Sequence, residues 1–132
     1  SLVCVRAEGG DAYLFDVRVC PEAFAWGLKA LLEDNTVIKV MHDCRRDADC
    51  LAGVFGITLR TVFDTQVAYG VLHGVLHTQE PLQHILTPYR VLLSPPPPDV
   101  RGWGVRPLGA VYQECAAACV SHLLRCVCVC VC

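Results

Sequence analysis

Residues 39–68 read KVMHDCRRDADCLAGVFGITLRTVFDTQVA, and their pattern decides the fold class. Val37, Ile38, Val40 and Met41 form a short apolar run that leads into this stretch, long enough for a buried strand and too short for a helix. Polar residues begin abruptly at His42 and Asp43. Asp43 is placed to cap a helix with apolar positions Ala48, Leu51, Ala52 and Phe55, and Gly56 is placed to stop it. Thr61, Val62 and Phe63 predict a second strand. Asp64 and Thr65 predict the cap of a second helix that turns Val67, Ala68, Val71 and Leu72 inward. Strand, helix, strand, helix packs as a layered α/β unit. Asp47 falls in the first turn of the first helix, beside a strand end, where open α/β sheets build their sites.

The flanking sequence extends the same architecture. Residues 2–5 and 12–17 are apolar and separated by the turn Glu8-Gly9-Gly10-Asp11, which predicts an antiparallel hairpin. Pro21 suits the first turn of a helix that buries Phe24, Leu28, Leu31 and Leu32, with Ala25 beside them. Residues 81–86 predict a short helical piece in which Leu82, Ile85 and Leu86 pack. Residues 95–98 are four prolines, a surface spacer. A last helix is expected over about residues 108–124, with Val111, Ala118, Leu123 and Leu124 on its inner face.

The 132 residues suffice for one core. A hydrophobic content of 54% excludes a wholly disordered chain. The net charge of -2 excludes a protein held on nucleic acid by bulk charge, so any such contact must come from a local groove. No apolar run reaches the roughly 18 residues that span a bilayer, and residues 2–5 are too short for a secretory signal core, so no membrane partner is expected. Of the 10 cysteines, Cys4, Cys20, Cys44 and Cys50 stand singly in apolar or helical contexts, where a free thiol is a small core residue. With nothing that marks secretion, the reading is intracellular, cytoplasmic or nuclear. The chain ends in CVCVCVC, the translation of a GT-repeat. The expected division is therefore a domain over residues 1–125 and a disordered or artefactual Cys/Val tail over residues 126–132.

HDCRRDADCL at residues 42–51, followed by VFDTQVA at residues 62–68, resembles the second acidic motif of RNase D-like 3′–5′ exonuclease domains. It is most similar to the branch that holds the Egalitarian-type and piRNA-associated exonuclease-domain proteins. Trp103 and Arg106-Pro107-Leu108 resemble the W-x-x-R-P-L signature before the last helix of that family. The resemblance implies a ribonuclease H-like α/β fold, a mixed central sheet flanked by helices. It also implies hydrolysis of terminal phosphodiesters by two Mg²⁺ or Mn²⁺ ions, held by Asp-x-Glu, a helix Asp, and the last Asp of Tyr-x-x-x-Asp.

Residue by residue, the resemblance carries over poorly. The Asp-x-Glu strand would lie ahead of Ser1, so this chain is expected to lack the first strand. Asp47 takes the helix-Asp metal position. AAACVSHLL at residues 116–124 aligns the family Tyr with Cys115 and the last Asp with Cys119. Tyr112 offers no substitute, since Ala116 stands four residues on. Thiols are poor ligands for Mg²⁺. Cys115 and Cys119 with the tail cysteines are the one alternative zinc set, but no C-x₂-C pair supports it. His73, His77, His84 and His122 follow no metal spacing. Asp64 reads as a cap, and Asp49 as surface. Arg45 and Arg46 are candidate phosphate contacts, against the ordinary reading of a solvated helix face. The expectation is an exonuclease-type domain that acts on or binds nucleic acid, single-stranded RNA above all, and is catalytically defective as it stands. Two other readings remain open. One is a non-catalytic adaptor that binds RNA and a protein partner in RNA transport or piRNA biogenesis. The other is a fragment of an ordinary enzyme.

Overall fold

The computed structural model describes residues 2–93, 99–123 and 127–131. Five strands form one mixed sheet in the order β2-β1-β5-β3-β4. β1 (Leu2–Arg6) and β2 (Ala12–Asp16) are the expected antiparallel hairpin, with Cys4 opposite Leu14. β3 (Lys39–Met41) and β4 (Val62–Asp64) run parallel, with Val40 opposite Phe63. Between the two strands of that pair the chain forms α2 (Arg45–Phe55), which ends at Gly56 in the left-handed conformation the sequence pattern implies. The expected α/β class is thus met by a mixed sheet with a core on each face.

One core holds Val3, Val5, Met41, Ile57 and Leu51 of α2, together with Phe24 and the Leu28 and Leu32 of α1 (Leu28–Glu33). The Phe24 and Phe55 rings meet there at 4.6 Å. The other core holds Leu2, Cys4 and Val40 beneath Ala116 and Val120 of α5 (Ala110–His122), closed by Leu123. Successive residues of β1 therefore enter opposite cores, as the two-residue period of a strand requires.

Several expectations are corrected. The helix expected from Pro21 is split into a 3-10 turn (Pro21–Phe24) and α1, broken at Gly27 with φ of 121°. Ala23 is buried in place of Ala25. β3 buries Lys39 completely and leaves Ile38 half exposed, because the Lys39 ammonium donates to the carbonyls of Asp34 (2.5 Å) and Val37 (2.9 Å). Burial pushes the Lys39 pKa down, and the nearby Asp34 only partly offsets it. The inner face of α5 is Cys115, Ala116, Val120 and Leu123; Val111 is exposed and Ala118 only half-buried.

The largest correction concerns α3 (Thr65–His73). Val67, Val71 and Leu72 face outward, Leu72 at 79% exposure, and the buried residues are Gln66 and Gly70. Apolar residues recur on two sides of this helix, so periodicity alone does not choose between them. The choice is made by the segment that follows. Gln66 donates to Thr78 O (2.9 Å) and accepts from Glu80 N (2.8 Å), while a Cβ on Gly70 would come within 3.2 Å of the Leu76 backbone. Those contacts hold residues 75–80 against one side of the helix. α4 (Leu82–Leu86) then follows, with Leu86 buried.

Val127–Val131 forms β5, antiparallel to β1 and parallel to β3. Alternating Val and Cys has the period of a strand, and without β5 the inner edges of β1 and β3 would lack ladder partners in a region buried on both faces. The proline run lies outside the described residues.

Substitution can test the corrected helix orientation. Leu51→Ala should cost about 2–5 kcal/mol of unfolding free energy, because it empties a site in the core. Leu72→Ser should change stability by less than about 0.5 kcal/mol. Denaturant melts of the two variants check this, and a large loss at Leu72 would contradict the placement of α3.

Candidate functional site

The candidate site grows from the point where β3 and β4 end side by side. The Asp64 carboxylate receives the backbone N–H of Asp43 (2.9 Å), of Cys44 (2.9 Å) and of Gln66 (2.8 Å). It therefore caps α3 as the sequence implies and also satisfies the entry to α2. Asp43 is not the cap of α2: its backbone turns through φ of 49°, the N-cap position is Cys44, and the Asp43 side chain pairs with Arg45 at 2.9 Å. Burial works to raise the Asp64 pKa, but the converging donors outweigh it and hold the carboxyl below its ordinary value of 3.8. Burial pushes the neighbouring Cys44 thiol up to about 12, aided by its hydrogen bond to Asp64. Cys44 is accordingly an inert thiol rather than a nucleophile.

His42 lies beside this junction. Its Nδ1 is 2.9 Å from Thr65 Oγ1, and its Nε2 is 2.9 Å from Glu80 O. Because a carbonyl only accepts, Nε2 carries a hydrogen. Together with Gln66, it ties residues 78–80 to the strand ends. A cleft of about 430 Å³ opens here, walled by Asp43, Arg45, Gln66, Val67 and residues 76–79. Arg45 lines it; Arg46 is exposed on the next position of α2.

Asp47 is half-buried in the first turn of α2, and its charge contributes to the raised Cys44 pKa. Cys115 is buried and Cys119 half-buried, one turn apart on α5. Among the described residues no three His, Cys, Asp or Glu side chains come together as a metal-holding group, so Asp47, Cys115 and Cys119 do not form one. A pair of hard divalent ions requires several carboxylate oxygens, and one carboxylate with two thiols does not fit them.

Two groups escaped the sequence reading. Gln66 and His42 organise the cleft, and only the position of Gln66 right after a capping Asp hints at it. Asp16, at the end of β2, forms a two-point ion pair with Arg106, through Nε and through Nη2 (3.0 Å). Arg106 also donates to Trp103 O (2.9 Å). This bond from Arg106 holds the Asp16 carboxyl below its usual range against the opposing effect of burial. It also fixes the W-x-x-R segment against the sheet just ahead of α5.

Comparison with known proteins now decides the family. A model described as 3′–5′ exonuclease matches residues 2–80, which carry β1 to α3 and the cleft. The chain belongs to the 3′–5′ exonuclease domain family. Its relatives are of the RNase D-like kind, and the mixed sheet is consistent with a ribonuclease H-like fold. Mouse "piRNA biogenesis protein EXD1" is 49% identical over 63 residues, 47% of this chain and 11% of the relative. The Caenorhabditis elegans "Egalitarian protein homolog" is 37% identical over 101 residues, 66% of this chain and 18% of the relative. "Ribonuclease D" of Granulibacter bethesdensis is 33% identical over 124 residues, 93% of this chain and 31% of the relative. The chain thus spans a third or less of the length of each of these proteins. No helix among the described residues is long and apolar enough to cross a membrane.

The Asp64 junction predicts an acid-sensitive stability. A carboxyl with a depressed folded-state pKa stabilises the fold above its unfolded value, and that contribution is lost as pH falls from about 4 through the folded pKa. Asp64→Asn should cost about 2–3 kcal/mol at neutral pH and flatten the stability profile below about pH 4. Urea melts across that range check both; an unchanged acid limb would contradict the role assigned to Asp64.

Proposed function

We propose that this chain is a non-degrading 3′–5′ exonuclease-type domain that holds single-stranded RNA. The observation that carries the reading is the pair Cys115 and Cys119. In the register set by Arg106-Pro107-Leu108 they stand where the family has Tyr and Asp. A buried thiol does not orient water as a phenol does, and neither thiol supplies oxygen to a hard cation. Asp47 is then an inherited metal position, with Cys119 where the family has its last Asp. RNA contact falls to Arg45 at the cleft, to the exposed Arg46, and to the cleft groups Gln66 and Gln79.

An adaptor role is the second reading, with RNA transport or piRNA biogenesis as its setting. It is favoured by the likeness to a piRNA biogenesis protein and an Egalitarian homolog, and by the outward apolar side of α3, where Val67, Val71 and Leu72 stand without cover. An intracellular location, cytoplasmic or nuclear, goes with either reading.

An Asp-x-Glu strand joined ahead of Leu2 by a tight turn would run antiparallel to β1, on the edge that β2 leaves open. β5 holds that place in that direction. Restoring Cys115→Tyr and Cys119→Asp in this chain should therefore not produce a nuclease.

Two assays on the purified chain test the proposal, using a 3′-labelled single-stranded RNA. With Mg²⁺ or Mn²⁺, no stepwise 3′–5′ shortening is expected. In filter binding, the Arg45→Glu, Arg46→Glu double variant should bind the RNA at least about tenfold more weakly than the parent, a loss near 1.4 kcal/mol. Metal-dependent shortening that Asp47→Ala abolishes would overturn the inactive reading. Undiminished binding by the double variant would overturn the assigned RNA surface.

A further inference from the structure

We propose that Asp43 is an internal competitor for the RNA phosphate at Arg45, and that it sets the affinity of the cleft for RNA. The Arg45 Nε and Nη2 both reach Asp43 Oδ1, at 3.0 and 2.9 Å. A guanidinium donates to a carboxylate and to a phosphate through the same fork of N–H groups. The two anions are therefore alternatives at the same donors, and a phosphate takes Arg45 only by exchange with Asp43. This inference rests on the RNA reading and adds what limits the hold of the cleft on its ligand.

The fold keeps the Asp43 carboxylate at that place. The Asp43 backbone N–H is bonded to Asp64 and its φ is 49°, so residue 43 is fixed where β3 hands over to α2. Its second oxygen, Oδ2, accepts from Gln79 Nε2 at 3.1 Å, on the wall formed by residues 76–79. The Asp43 side chain is 29% exposed and that of Arg45 67%. The acid is thus held from two sides, and the base is the partner that can swing.

The charge of the cleft follows from the pair. Its wall carries one carboxylate, Asp43, and one guanidinium, Arg45. Paired, they present no net charge to an entering anion, and the chain's overall charge of -2 supplies no attraction in their place. An exposed ion pair is nonetheless weak, worth up to about fivefold in an equilibrium. An RNA phosphate can therefore displace Asp43 from Arg45, and its binding is reduced by about that factor.

Filter binding of the same 3′-labelled single-stranded RNA tests this on full-chain variants. Asp43→Asn removes the charge, keeps the size and suits the left-handed backbone, which asparagine tolerates. Asp11→Asn makes the same change of charge at an exposed position outside the cleft wall. D43N should bind the RNA about fivefold more tightly than the parent, and D11N no more tightly than the parent. With Arg45→Ala in the same chain the gain should vanish, so that the double variant binds as Arg45→Ala alone does. A D43N chain no tighter than D11N would overturn the proposal. So would a gain that persists without Arg45, because the carboxylate would then repel RNA without competing for that side chain. Neither result touches the Arg45→Glu, Arg46→Glu comparison, whose failure removes the RNA surface itself. A second measurement uses the parent chain, in case D43N does not fold. The Arg45 Nε–H signal in NMR, identified by its loss in Arg45→Ala, should shift at saturating RNA while that of Arg106 stays in place. An unmoved Arg45 signal would overturn the exchange.

Discussion

The Asp64 carboxylate is the point on which the candidate site depends. It sits at the end of β4, against the end of β3, and receives the N–H groups that open both α2 and α3. A helix start leaves donors without partners, and here two such starts converge. One anion answers both. With the left-handed turn at Asp43, the Asp43 and Cys44 N–H groups both reach that carboxylate. The cleft beside Arg45, the placement of Asp47 and the tethering of residues 78–80 through Gln66 all descend from this junction.

A second constraint acts across the sheet. Strand residues alternate between two cores, so every central strand must be apolar on both sides. β1 and β3 meet that condition, each with a different chemistry. β1 does it with Leu, Val and Cys. β3 does it with a lysine whose ammonium is carried to two backbone carbonyls. α5 then lies over β1 and β2, steered by the Asp16–Arg106 pair that holds the segment ahead of it. That helix carries Cys115 and Cys119 one turn apart.

Much of this was legible in the sequence because each feature had a local cause. The hairpin, the β3–α2–β4 unit, the stop at Gly56 and the cap at Asp64 each follow from a turn residue or a short apolar run. What was not legible depended on distant partners. α3 carries apolar residues on two sides, and only the fit of Gly70 against Leu76 and the bonds of Gln66 choose the buried one. The burial of Lys39 depends on the carbonyls of Asp34 and Val37, which receive its ammonium. Of the site, Asp47, Cys115 and Cys119 rest on motif register alone, whereas the cleft and its Gln66 and His42 supports required the fold.

The central proposal is that this exonuclease-family domain keeps Asp47 but not a full set of oxygen ligands for two divalent ions. Titration of Mn²⁺ into the purified chain, followed by electron paramagnetic resonance, tests it most directly. The account predicts no stoichiometric site, and identical titrations for the parent and for Asp47→Ala. A one-to-one or two-to-one Mn²⁺ complex that disappears in Asp47→Ala would contradict it.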